Sequence, residues 1–147
     1  MGGDPSGVVF AFLNEVGIIS QLSTAFLART LPDGIHPSHF GVLNHLSRTG
    51  DGKTPVQIAS AMQVTKATMT HTLKVLEERG LIEDRPNPSD ARGKLIYLTQ
   101  TGRSFREKAI AKLASEFGHL ATAEHGLMMQ RVLPDLVAYR KYLDSNR

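Results

Sequence analysis

The sequence predicts a mainly α-helical fold that is interrupted once by a short β-hairpin. Apolar residues recur at helical spacing over most of the 147 residues. Residues 54–79 form two short helical patterns with a tight turn between them. Two short strand patterns, 81–85 and 94–98, follow on either side of a polar loop that contains two prolines. This order is a winged helix-turn-helix with the hairpin as its wing, and we expect one domain over residues 1–147.

The two helices of the helix-turn-helix have clear start and stop signals. Thr54 suits the N-cap, Pro55 the first helical position, and Gln57 closes a capping box. Thr65 caps the second helix, which ends at Gly80 because glycine adopts the left-handed backbone conformation without strain. The predicted buried side consists of Val56, Ile58, Ala59 and Met62 in the first helix and of Met69, Leu73 and Leu76 in the second.

Longer helices flank the winged helix on both sides. A helical pattern over residues 8–29 precedes a turn, and Ser38 is predicted to cap the next helix, which buries Phe40, Val42, Leu43 and Leu46. After the wing, one helix begins at Thr99 or Thr101 and a last one follows Thr122. Their broad apolar faces are typical of a two-fold interface. We therefore expect residues 8–35 and 100–144 to form dimerisation helices and residues 36–99 to form the winged-helix lobe.

Composition and motifs exclude several function classes. The chain has no cysteine, which excludes thiol catalysis, disulfides and cysteine-ligated zinc. It shows no Gly-rich phosphate loop, no H-E-x-x-H and no nucleophile elbow, so we expect neither an enzyme nor a cofactor. The longest apolar run, 8–13, has six residues, and we expect a cytoplasmic protein without a membrane partner. The opening Met-Gly-Gly-Asp-Pro-Ser fits a loose myristoylation pattern without a basic cluster, and we interpret it as a flexible leader.

Charge is distributed unevenly along the chain. Residues 1–52 have a net charge of −2, residues 53–112 of +5 and residues 113–147 of zero. An electropositive middle third indicates a polyanionic partner, although an ordinary solvated surface has the same appearance. The exposed face of the second helix offers small, hydrogen-bonding and cationic groups that suit an approach to base edges: Lys66, Ala67, Thr68, Thr70, His71, Lys74 and Glu78.

Three motifs in this order resemble the MarR (multiple antibiotic resistance regulator) family. They are Leu76-Glu-Glu-Arg-Gly80-Leu81 at the end of the second helix, Asp90-Ala-Arg92 in the wing, and Leu98-Thr99-Gln-Thr-Gly102 at the next helix start. Each motif alone is weak, whereas the three together at the expected spacing are specific. With its flanking helices, the resemblance extends over roughly residues 8–144.

The resemblance implies a homodimeric repressor that binds double-stranded DNA at a pseudo-palindromic operator and is released by a small effector. Arg92 matches the wing arginine that enters the minor groove, and Asp90 the aspartate that steadies it through an ion pair. The recognition-helix face in the major groove would consist of Thr65, Lys66, Thr68, Thr70 and His71, with Lys74 and Lys94 near phosphates. His71 and Val75 stand where the family often has basic residues, which leaves the base preference open.

The resemblance also places a site for aromatic acids or phenols near His39 and Phe40, although we favour packing between helices as the role of both residues. His36, His39 and His45 are close in sequence, but His45 is not on the same side as His36, so we expect no metal site. The alternative to a DNA-binding regulator is a winged helix that serves as a protein-interaction module. Such a module more often has apolar or acidic residues on its recognition face.

Overall fold

The computed structural model describes residues 4–147, which fold as predicted into helices with one antiparallel hairpin. The chain divides into two compact units, one ending at Ala111 and one formed by Lys112–Arg147, and each is described separately. The helices are α1 Pro5–Thr30, α2 Pro37–Thr49, α3 Pro55–Met62, α4 Lys66–Glu78, α5 Gln100–Gly118 and α6 Ala123–Ser145, and the strands are β1 Ile82–Asn87 and β2 Asp90–Leu98.

The first helix begins earlier than its apolar pattern suggests. Asp4 is its N-cap and accepts a hydrogen bond from the backbone N–H of Ser6, while Pro5 occupies the first turn. Residues 4–6, predicted to belong to a leader, are therefore cap and helix, and the myristoylation site at Gly2 lies outside the described residues. By length and composition α1 could also span a membrane, since its mean hydropathy reaches 1.4 over an 18-residue window. The longest uninterrupted apolar run, six residues, underestimates the apolar length of α1, because apolar residues continue beyond Asn14 and Glu15.

The second helix begins one residue before the predicted cap. His36, not Ser38, is the N-cap of α2, and Pro37 follows it at the first helical position. The Nδ1 atom of His39 accepts the backbone N–H of His36 at 2.8 Å. A histidine therefore fills the N3 position of a capping box that usually holds Glu or Gln. Phe40, Val42, Leu43 and Leu46 are buried as predicted.

The helix-turn-helix matches the sequence prediction closely. Thr54 accepts the backbone N–H of Gln57, whose Oε1 accepts the N–H of Thr54 at 2.9 Å. The prediction was wrong at Val56, which is 60% exposed because it follows Pro55 in the first turn and points away from the core. The core of this unit combines α2, α3, α4 and the hairpin, and its most deeply buried side chains are Val42, Leu43, Leu46, Ile58, Met69, Leu76 and Ile96.

The wing hairpin is longer than the two predicted strands. Pairing runs regularly from Ile82↔Leu98 to Pro86↔Lys94 and then resumes at Asn87↔Asp90. Residues 91–93 are thus surplus on β2 and form a bulge at the wing tip. The polar sequence of the tip concealed this pairing, because a bulge needs few apolar residues. At the base of the wing, Lys53 pairs with Ile96 as an additional bridge.

Thr99 connects α4, the wing and α5 at one point. Its hydroxyl donates to the carbonyl of Gly80 at 2.6 Å and accepts the N–H of Gly102 at 2.9 Å. Its own N–H donates to the carbonyl of Leu81 at 3.2 Å. Thr99, rather than Thr101, is therefore the residue that caps α5. A Cβ atom at Gly102 would overlap the carbonyl oxygen of Leu81, so this junction requires glycine.

The close approach at Gly102 yields a stability prediction. We expect Gly102→Ala to lower the free energy of unfolding by about 1–3 kcal/mol, because backbone atoms must shift to admit the methyl group. Gly7→Ala is the matched control, since Gly7 is likewise the third residue of its helix but has nothing within 4 Å of its Cβ position. Urea unfolding of both variants measures the difference, and equal effects would contradict the steric account.

Candidate nucleic-acid interface

Helix α4 separates a buried face from a polar exposed face. Met69, Leu73 and Leu76 anchor one side of the helix in the core. All six α4 residues predicted to contact DNA, from its N-cap onwards, are exposed on the helix: Thr65, Lys66, Thr68, Thr70, His71 and Lys74. The structure therefore brings these side chains together on one surface, with no large apolar side chain among them.

The threonine hydroxyls of α4 are already oriented by the helix. Thr65 accepts the backbone N–H of Thr68 at 3.1 Å and donates its hydroxyl to Thr68 Oγ1 at 2.9 Å. Thr70 donates its hydroxyl to the carbonyl of Lys66 at 2.9 Å. In this arrangement Thr68 keeps a hydroxyl proton to donate, whereas Thr70 offers lone pairs to a donor. The face thus presents a donor and an acceptor two residues apart.

Two of the predicted phosphate-contacting lysines are held by carboxylates. Lys74 lies 4.0 Å from Glu78, and both side chains are largely exposed. Lys94 lies 3.6 Å from Asp84 across the hairpin. Exposed pairs of this kind contribute little free energy. Either lysine can therefore exchange its carboxylate for a phosphate at small cost.

Arg92 lies in the bulge at the wing tip and is exposed. Asp90 does contact it, but through the backbone: Asp90 Oδ1 accepts the N–H of Arg92 at 3.0 Å. Within residues 4–147, the ion pairs do not include one between these two side chains. The expected ion pair is thus replaced by a hydrogen bond that shapes the tip and leaves the guanidinium free to reach outward.

Arg85 is a second wing arginine, which the sequence analysis did not single out. Its Nη2 lies 2.6 Å from Glu83 Oε1, and its guanidinium carbon lies 4.0 Å from the centre of the Tyr97 ring. The hydrogen bond that Arg85 donates to Glu83 is the main cause that raises the pKa of Arg85 above its ordinary value. Glu83 and Arg85 are two apart on one strand, and Tyr97 is the register partner of Glu83, which is the sequence signal for this cluster.

Long-range contacts position the interface from outside it. The Oδ2 atom of Asp51 accepts both the N–H of Leu98 at 3.1 Å and a guanidinium N–H of Arg103 at 2.9 Å. At the end of α4, Arg79 donates to the carbonyl of Asp33 at 2.6 Å. These contacts fix the wing base to α5 and the recognition helix to the loop before α2.

Comparison with known proteins agrees with this geometry. A family model described as MarR family matches residues 33–93, which include the helix-turn-helix and most of the wing. The winged helix of this chain is thus similar to the MarR family over these residues. The apo form of wild-type MarR from E. coli is 26% identical, with a TM-score of 0.71 over 84% of this chain and 94% of that one.

Two more distant structures share the MarR fold. A mutant MarR from E. coli in complex with operator DNA is 24% identical, with a TM-score of 0.62 over 91% of this chain and 99% of that one. The YusO protein from Bacillus subtilis is 20% identical, with a TM-score of 0.66 over 92% and 99% of the two chains. The predicted family and the predicted winged-helix fold are therefore confirmed.

The two residues predicted for a MarR effector pocket lie in the interior. His39 is 5% exposed, and Phe40, at 8%, belongs to the hydrophobic core. Burial is the first cause that lowers the pKa of His39. Packing accounts for both side chains here, and a role in effector binding stays a prediction. Within residues 4–147, no three His, Cys, Asp or Glu side chains are placed to hold a metal ion.

The tip geometry predicts a local effect of Asp90 in the wing. We expect Asp90→Ala to speed hydrogen exchange at the Arg92 amide about 2- to 12-fold, which corresponds to a hydrogen bond of about 0.5–1.5 kcal/mol. The Ser89 amide, which is bound by Asn87 Oδ1 at 3.0 Å, is the internal control. Exchange followed by NMR distinguishes the two sites. An unchanged Arg92 rate would show that Asp90 does not shape the tip.

Proposed function

We propose that this chain is a transcriptional repressor that binds a pseudo-palindromic operator in double-stranded DNA as a homodimer. Helix α4 enters the major groove through Thr65, Lys66, Thr68, Thr70 and His71, and the wing reaches the minor groove through Arg92. The observation that supports this best is the exposed polar face of α4, which lies in a MarR winged helix beside an unpaired wing arginine. Such a face matches base edges and phosphates better than an apolar protein surface.

Electrostatics supports the same orientation. Residues 53–112 hold the net positive charge of the chain, and the N-terminus of α4 adds the partial positive charge of a helix end. Lys66 stands at that end, while Lys74 and Lys94 are bound only by exposed carboxylates. These cations can release counterions from the DNA backbone, so affinity should fall steeply with salt.

The homodimer is supported by apolar residues that each unit leaves exposed. In α1 they are Val8, Val9, Phe10, Phe12, Leu13, Val16, Ile18, Ile19 and Leu22, and in α6 they are Leu127, Met128, Met129, Val132, Leu133, Leu136, Val137, Tyr142 and Leu143. Patches of this extent mark an interface. A two-fold axis would also set two recognition helices about 34 Å apart, one turn of DNA. On this account the apolar α1 covers a second copy in the cytoplasm and does not enter a membrane.

Release by an aromatic or phenolic effector completes the proposal and follows from the family resemblance. His39 and Phe40 are the residues assigned to that site. Since both are buried, an effector would have to displace packing around α2, which would couple its binding to the position of this helix. No catalytic role is part of the proposal.

The wing provides the sharpest test of DNA binding. We expect Arg92→Ala to weaken binding to a duplex selected by the wild-type protein by about 1–3 kcal/mol, with the loss concentrated at A·T-rich flanks. Arg85→Ala removes the same charge from the same hairpin, but its guanidinium is held by Glu83 and Tyr97. We therefore expect a smaller loss for Arg85→Ala in fluorescence anisotropy at stated salt.

The outcomes separate the two functions weighed for this fold. Equal losses of DNA affinity in the two arginine variants would mean that the wing contributes only its positive charge and that Arg92 has no specific role. Absence of any selected duplex, together with unchanged weak binding to scrambled DNA in both variants, would remove direct base readout. The protein-interaction module would then be the better account.

Assembly is tested on the exposed apolar residues. We expect Leu143→Asp to convert a dimer into monomers at micromolar concentration, because a buried aspartate in the interface has no partner. Val56→Asp is the control, since Val56 is equally an exposed apolar residue but lies on α3. Sedimentation measures both variants. A monomeric wild type, or one that floats with phosphatidylcholine vesicles, would contradict the dimer and favour another use of α1.

A further inference from the structure

The start of α2 contains a buried histidine that acts as a hydrogen-bond acceptor. His39 is 5% exposed, and its Nδ1 atom accepts the backbone N–H of His36 at 2.8 Å. The rings of these two histidines stack with centroids 5.3 Å apart. In the neutral ring the proton must therefore be on Nε2. Protonation at Nδ1 would set two N–H donors against each other and break the cap.

The same capping position occurs twice more within residues 4–147, with different chemistry. In α3 it is filled by Gln57, which cannot titrate, and in α6 by His125, which accepts the N–H of Thr122 at 3.1 Å but is exposed. Only the α2 box of these three combines a titratable acceptor with burial. The α3 cap is thus a comparison without a titratable acceptor, and the α6 cap is a comparison without burial.

The charged surroundings of His39 all disfavour a second proton. Burial lowers the pKa of His39 below its ordinary value of 6.5, and His36, His71 and Arg79 lower it further. The positive end of the α2 dipole acts in the same direction. No carboxylate is among the groups that act on this ring. A proton on His39 would therefore be a buried cation without a counterion.

The other elements packed against α2, which include α5 through the hydrogen bond from Arg106 to Asn44, do not contribute to the pKa of His39. α2 itself also has His45 and Arg48, the preceding loop has Asp33, and α3 has no titratable residue. None of the charged groups on α1 and β2 alters the pKa of His39; these are Glu15, Arg29, Asp90, Arg92, Lys94 and Tyr97. The electrostatic partners of the ring are thus its own helix turn and helix α4.

One electrostatic interaction and one hydrogen bond link this turn to the recognition helix. His71, which acts on the His39 ring, is on the exposed face of α4. Arg79, the C-cap of α4, donates to the carbonyl of Asp33 in the loop before α2 at 2.6 Å. The segment from Asp33 to His39 therefore adjoins α4 both at its middle and at its end.

We propose that the His36–His39 cap is a proton-sensitive latch: a proton on His39 opens the first turn of α2, displaces helix α4 and weakens DNA binding. This inference rests on the proposed function for its DNA readout but not for the opening itself. The direction follows from linkage. Since the pKa of His39 is lower in the folded state, stability is complete above about pH 6.5 and is lost as the pH falls through the folded value.

The first experiment examines the latch without DNA. Hydrogen-exchange protection factors are measured by NMR at the amides of His39 and Phe40, both of which donate to the His36 carbonyl, at pH 7.5 and pH 5.5. We expect protection in the wild type to fall about three- to tenfold, because one proton bounds the effect at about tenfold per pH unit. His39→Gln keeps an acceptor, as Gln57 does, and should show no such fall.

The second experiment measures affinity for a duplex that the wild type selects from a random pool at pH 7.5. We expect wild-type affinity to fall at pH 5.5 and that of His39→Gln to hold. His125→Gln, the matched control at the exposed cap, should behave like the wild type. His71→Gln removes one of the groups that disfavour a proton on His39, so it should make the fall steeper.

The outcomes are distinguishable. Failure to select any duplex would overturn the proposed function, while the exchange measurement would still decide whether the cap opens. Identical pH profiles of protection in wild type and His39→Gln would overturn the latch even if DNA binding is strong. Opening of the cap without loss of affinity would overturn its coupling to α4. An NMR titration that gives the wild-type His39 ring a pKa at or above 6.5 would overturn the whole inference.

Discussion

The hydroxyl group of Thr99 is the contact on which the winged helix depends. It donates to the carbonyl of Gly80, just after α4, and accepts the N–H of Gly102 in the first turn of α5. The backbone N–H of Thr99 itself donates to the carbonyl of Leu81. The end of the recognition helix, the first strand of the wing and the start of α5 therefore meet within one hydrogen-bonded group. The close packing at Gly102 explains why a glycine follows this threonine by three residues in the motif.

Asp51 reinforces this junction from the other side of the hairpin. One carboxylate oxygen binds both the backbone of Leu98 and the guanidinium of Arg103, which are a strand end and a helix turn. The wing is consequently fixed at its base, whereas its tip is held by Asx-type hydrogen bonds that the side chains of Asn87 and Asp90 accept from the backbone. A rigid base and a locally held tip suit a wing that has to place one long side chain at a distance.

The sequence is most informative where a few neighbouring residues determine the structure. Thr54, Gln57 and Thr65 start their helices as predicted, and helical periodicity identifies both faces of α4 correctly. The cap of α2 was misassigned because histidine is an uncommon N-cap and N3 residue. The pairs Asp51–Arg103 and Asp33–Arg79 are 52 and 46 positions apart, so no local pattern reveals them. Strand pairing at the wing tip was missed for a similar reason, since it depends on the partner strand and a bulge.

The bulge at residues 91–93 divides the hairpin into a regularly paired base and a short tip. Below it, the pairs from Ile82 to Pro86 keep Ile96 and Leu98 in the core. Within the bulge, residues can be added or removed without shifting that register, because residues 91–93 are already unpaired. Reach and stability are thus independent properties of this wing. Loop variants confined to residues 91–93 could vary how far Arg92 extends while the domain beneath stays the same, which makes this segment a natural place to engineer spacing.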